Sequence, residues 1–122
     1  MTVNKDTKDW ARPVVHWEIE ARDPDAQRAF YSELFGWSIS DGAIMTIPPG
    51  LGGPEPGPAG HIRQSERSAV TLYVQVRHLA DSLGRVVDLG GAVRTAPFDV
   101  PNGPTLAVVE DPEGNALVLV QQ

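Results

Sequence analysis

Val15-His16-Trp17-Glu18-Ile19-Glu20, running through Asp23-Pro24-Asp25 and closing on Leu34-Phe35-Gly36-Trp37-Ser38, is the stretch on which the fold turns. Its first six residues alternate. Val15, Trp17 and Ile19 point one way, and His16, Glu18 and Glu20 the other, as in a strand with a core on one face and something polar on the other. Asp23 is placed to cap a helix, and Pro24 fills its first position without wasting a donor. Ala26, Phe30 and Leu34, at four-residue spacing, supply the stripe for burial before Gly36 stops the helix. Residues 37–40 then read as a short strand, Asp41-Gly42 as a hairpin turn, residues 43–47 as the partner strand and residues 61–64 as the returning one.

The same order comes again. Thr71-Leu72-Tyr73-Val74-Gln75 alternates, with Thr71, Tyr73 and Gln75 in the places of His16, Glu18 and Glu20. It leads through His78-Leu79 into a helix carrying Leu79, Leu83, Val86, Val87 and Leu89, which stops at Gly90-Gly91. Strands at residues 92–94, 105–109 and 116–120 follow, with turns at Pro101-Asn102-Gly103 and Asp111-Pro112-Glu113-Gly114. Each unit is thus β-α-β-β-β, the first at about residues 14–64 and the second at about 70–121, in a single α+β domain. Helices cover one face of each sheet, and the faces with the polar alternates are left to curve around a shared hollow. Trp17, Phe30, Tyr31, Phe35 and Trp37 read as core. Gly84 interrupts the second helix, and a close approach of helix to sheet is the expected reason.

The remainder bounds the function. Residues 1–13 form an arm that Trp10 anchors, and residues 48–60, dominated by Pro and Gly, form an extended loop that is either functional or a plain hairpin connection. At 122 residues and 41% hydrophobic, one sizeable core is attainable. A net charge of -6 with scattered basic residues argues against nucleic acid and anionic membranes as partners. No apolar run is long enough to span a bilayer or serve as a secretory signal, so the expected address is cytoplasmic. Without cysteine, any metal would rest on His, Glu, Asp or water.

Laid out this way, the chain resembles the vicinal oxygen chelate superfamily of glyoxalases, bleomycin resistance proteins and extradiol dioxygenases. The likeness rests on Val15-His16-Trp17-Glu18, Asp23, Phe30-Tyr31, Leu34-Phe35-Gly36-Trp37, Leu89-Gly90-Gly91 and Glu110-Asp111-Pro112-Glu113-Gly114-Asn115. It implies two tandem βαβββ modules forming a curved, cup-shaped mixed sheet with helices on the outer face, and commonly a homodimer. In metal-dependent members, the resemblance also implies four cup-facing ligands, one on the first and one on the last strand of each module. Here these fall on His16, on His61 or Arg63, on Thr71 and on Val118. Valine cannot coordinate a cation and threonine is a poor substitute for imidazole, so the metal site is incomplete, with His16 and His61 as its remaining donors.

Two readings stay open. One is a small-molecule binder without the full metal site and without a cofactor, its ligand lined by Thr71, Tyr73, Gln75 and Val118. The other is a divalent-metal-dependent lyase, isomerase or dioxygenase acting on vicinal oxygens, or a metal-free variant in which His16 is the base beside Glu18. Glu20 reads as a solvated strand charge, His78 as solvated, and Asp111 to Gly114 as a turn without chemistry.

Overall fold

The computed structural model describes residues 11–49 and 57–122. The expected anchor Trp10 and residues 50–56 of the Pro/Gly loop lie outside the described residues. The described residues divide into two compact units, one within residues 15–72, the other of residues 73–122 with residues 11–14.

The first unit is built on β1 (Val14–Ala21), α1 (Pro24–Phe35), β2 (Ile44–Ile47) and β3 (Gly60–Gln64), and holds the start of β4 (Ala69–Val76). Strand β3 lies between β1 and β2, parallel to the former and antiparallel to the latter. Helix α1 starts and stops as its sequence dictates. The Ala26 backbone N–H donates to Asp23 Oδ1 at 3.1 Å, Pro24 opens the first turn, and Gly36 takes the left-handed conformation while its N–H donates to Ser32 O. Alternation along β1 sends Trp17, Ile19 and Ala21 into a core with Ile39, Met45, Ile47 and Ile62, flanked by Tyr31 and Trp37. Gly60 is required there, because a Cβ at that position would collide with the Trp17 indole, whose N–H donates to Pro58 O at 3.0 Å.

Two expectations fail in this unit. Residues 37–40 do not form a regular strand: the Ser40 hydroxyl accepts from the Thr46 N–H at 2.9 Å, a side chain in the place of a backbone acceptor. The α1 stripe is also out of phase. Tyr31 packs on the core, whereas Phe30, Leu34 and Phe35 are all more than half exposed.

The second unit orders its strands β4-β7-β6-β5, where β5 is Ala92–Asp99, β6 Thr105–Glu110 and β7 Ala116–Gln121, with β6 antiparallel to both of its neighbours. Helix α2 (Leu79–Asp88) packs Leu79, Leu83 and Val86 against Val74, Val76, Ala107, Val109, Leu117 and Leu119. Val87 and Leu89, expected in that stripe, are exposed. Strand β5 runs five residues past the expected end at residue 94, and all of it is exposed. Asp111 accepts from the backbone N–H groups of Glu113 and Asn115, both at 2.9 Å, which makes residues 111–114 the expected turn.

Gly84 does not mark a close approach: a Cβ placed on it meets nothing within 4 Å. The close approach is at Gly91, where a Cβ would strike Glu110 O and Val86 Cγ1. Gly84→Ala should therefore stabilise the chain by about 0.5–1 kcal/mol through helix propensity alone, raising the urea midpoint with an unchanged slope. The architecture is α+β, each helix lying on one face of its own unit's strands.

Candidate functional site

The parallel pairing of β1 with β3 sets Glu18 opposite His61 and Glu20 opposite Arg63. Because these residues lie on the face of β1 turned away from Trp17 and Ile19, the register gathers the unit's polar alternates in one place. His61 is the centre. Its Nε2 lies 2.8 Å from Glu18 Oε2, and its Nδ1 lies 2.7 Å from His16 Nε2. The two rings are 4.9 Å apart, too far for face-to-face contact, and inclined by 29°, as suits imidazoles joined through facing nitrogens.

Glu18 is 5% exposed. Burial alone would push its carboxyl up, but the hydrogen bonds from His61 and Arg63, together with their charge, outweigh this and hold it at about 2. Arg63 Nε donates to Glu18 Oε2 at 2.8 Å, and Arg63 Nη2 donates to Glu20 Oε1 at 3.1 Å. The proton order follows. An ionised carboxylate makes His61 Nε2 the donor, so in a pair of neutral rings His61 Nδ1 accepts, His16 Nε2 donates, and the basic lone pair sits on His16 Nδ1. Burial is the main cause that lowers the His16 pKa from its ordinary 6.5, and the neighbouring His61 adds to it against the opposing pull of Glu18. The assembly can therefore take a proton at a neutral imidazole and pass positive charge toward a permanent carboxylate.

Glu20 is not a solvated charge, as its place in the sequence suggested. It is 8% exposed, and burial is tolerated because Arg63, the Ser65 hydroxyl at 3.1 Å and Arg67 Nε at 3.3 Å surround its carboxylate. Ser65, Arg67 and the bridging role of Arg63 were not read from the sequence. The signal was present in the basic side chains on and just after β3 that face the acids of β1.

The remaining candidates lie elsewhere on the strands. Thr71 is buried on β4, in the first unit. In the second unit Val74 and Val76 face α2, so Tyr73 and Gln75 point to the opposite side of β4 and are half-buried. Val118 also lies on the side of its strand away from α2; it pairs with Val108 and is buried with Leu106 and Val120, an apolar surface without a cation ligand. Among the described residues, no helix is long and apolar enough to cross a membrane.

A sequence profile of the glyoxalase-like domain matches residues 14–120. The chain belongs to the glyoxalase-like domain family. Among its relatives is a glyoxylase-like domain-containing protein of Didymella fabae, 29% identical over 108 residues, covering 80% of this chain and 84% of the relative. Among solved structures, a glyoxalase/bleomycin resistance protein/dioxygenase superfamily member from Vibrio splendidus 12B01 superposes with a TM-score of 0.65 at 15% identity, over 92% of this chain and all of that one. The methylmalonyl-CoA epimerase of Mycobacterium tuberculosis superposes with a TM-score of 0.58 at 14% identity, over 88% and 86% of the two chains. At such identities the structures attest to the fold, that of the vicinal oxygen chelate superfamily.

This glyoxalase-like chain does not fit the four-position metal site of the superfamily's metal-dependent members. On the resemblance, two of the positions fall on Thr71 and Val118, neither of which offers an imidazole or a carboxylate. His16, His61 and Glu18 are strung in a line with His61 in the middle, so their donor atoms do not converge. The facing nitrogens of the two histidines are 2.7 Å apart, whereas two imidazoles on one tetrahedral zinc, with bonds of about 2.0–2.1 Å, need a separation of roughly 3.4 Å. Among the described residues, no group of three or more His, Cys, Asp and Glu side chains is arranged to hold a metal ion.

Proposed function

We propose that the first unit of this glyoxalase-like chain binds a small oxygen-bearing organic molecule, with Thr71 contributing to its recognition, and exchanges a proton with it at His16 without a metal. The observation that carries this reading is the His16–His61–Glu18 line, whose terminal carboxyl is held at about 2. A proton arriving at His16 Nδ1 is matched by transfer of the Nε2 proton to His61 Nδ1, and the resulting imidazolium lies against Glu18. The structural likeness to an epimerase is consistent with a fold that accommodates small-molecule chemistry, and the net charge of -6 suits a neutral or cationic ligand. The proposal includes a cytoplasmic homodimer, supported by the apolar side chains exposed on α1, Phe30, Leu34 and Phe35.

A thermal-shift screen of small oxygenated and aromatic metabolites tests the binding. A true ligand raises the melting temperature of the native chain, and His16→Ala removes at least half of that shift while leaving the unliganded melting temperature within a few degrees. If every hit shifts His16→Ala as much as the native chain, the proposal is wrong. The adjacency of His16 and His61 favours one alternative, a divalent-metal lyase, isomerase or dioxygenase in which these rings open around the ion. Stoichiometric metal in purified chain, lost on His16→Ala, would select that alternative.

A further inference from the structure

On the other side of β1 from His16, the first unit carries a second feature. Gly36 turns the chain through a left-handed conformation, so that residues 37–40 run back beside α1, held by Ile39 in the core. Arg28 and Ser32, one turn apart on α1, then face Ser38 and Ser40 across a groove of about 460 Å³, whose lining Trp37 and Ile39 complete. The guanidinium is oriented: Arg28 Nε donates to Ile39 O at 2.8 Å. Among the described residues Arg28 makes no ion pair. In a chain of net charge -6, the groove is lined by a guanidinium, three hydroxyls and an indole, with no carboxylate among them.

We propose that this groove is a binding site for a small organic anion, the oxyanion engaging Arg28 and the Ser32 and Ser38 hydroxyls and the organic body lying along Trp37 and Ile39. Charge-assisted hydrogen bonds from an oriented guanidinium are the strong, orienting element of such sites. The volume is in the range of small-molecule pockets and exceeds what an inorganic phosphate fills. Trp37 and Ile39 pack on the Trp17 and Ile19 side of β1, so the groove is separate from the polar face that carries His16 and Glu18. The proposal does not depend on the function proposed above.

Calorimetric titration of the full chain at low salt with phenyl phosphate, benzoate and phenol tests it. Phenyl phosphate or benzoate binds saturably, whichever is tighter naming the group as phosphate or carboxylate, and phenol does not bind. Arg28→Gln and Ser38→Asp each weaken binding by about tenfold or more, added salt weakens it further, and His16→Ala leaves it unchanged. Ser38 is exposed, so Ser38→Asp decides the matter if Arg28→Gln does not fold. The site is excluded if neither anion saturates, if phenol binds as tightly, or if both substitutions leave the affinity as it was.

Discussion

Arg63→Ala should cost about 2–3 kcal/mol of folding free energy at pH 7. The guanidinium bonds two buried carboxylates at once, Glu18 and Glu20, and removing it takes a charged partner from each. Breaking a buried ion pair costs roughly 3–5 kcal/mol; the 41% exposure of the Arg63 side chain admits water and places this case at or below the lower end. The pH dependence carries the sign. Without Arg63 the Glu18 carboxyl rises, the folded chain holds its proton more readily, and the deficit shrinks as pH falls from 7 toward 4. Arg63→Lys restores one charge without the fork and should recover only part of the loss. Urea unfolding at pH 7 and pH 4.5 measures all three; a deficit below 0.5 kcal/mol at pH 7, or one that grows on acidification, would be inconsistent with the bridge.

Glu18→Gln should flatten the acid limb of stability. The native carboxyl, ordinarily at 4.5, is held at about 2 in the folded chain. A depressed carboxyl contributes fully above the unfolded value, contributes less as pH falls from about 4.5 to about 2, and contributes nothing below both. After allowance for the solvent around Arg63, that contribution is about 2 kcal/mol. The native chain loses it across this window and the variant, already lacking it, has nothing there to lose. Glu18 also raises the His16 pKa, so the same substitution moves the His16 titration further down. Acid titrations followed by circular dichroism would contradict the account if native and variant chains lost stability in parallel below pH 5.

Much of both units was legible in the residues where the signals are local. The alternation of β1, the Asp23-Pro24 start of α1, the Gly36 stop and the Asp111 turn each depend on neighbours a few residues away, and each is in place. The phase of α1 was not legible. Its turns carry Phe30 and Leu34 on one side and Tyr31 on the next, and only packing against the core cluster of β1, β2 and β3 shows that Tyr31 faces inward. Gly84 misled for a related reason, since a glycine in a helix signals missing volume without saying whether anything occupies the space.

The candidate site divides in the same way. His16 and Glu18 share a strand face by simple alternation, but the partner that links them, His61, lies 45 and 43 residues further along. The reading of Glu20 as solvated failed because Arg63 and Ser65, 43 and 45 residues away, neutralise and hydrogen-bond it. Charge on a strand says nothing of burial until the register of the neighbouring strand is fixed, and here the parallel pairing of β1 and β3 fixes it.

Long-range proton–nitrogen NMR of His16 and His61 as a function of pH tests the central claim most directly, because it reads each ring's protonation and tautomer. His16 should titrate below 6.5, carry its proton on Nε2 in the neutral form, and show a still lower midpoint in Glu18→Gln. A His16 midpoint above 6.5, or one that ignores Glu18→Gln, would contradict that claim.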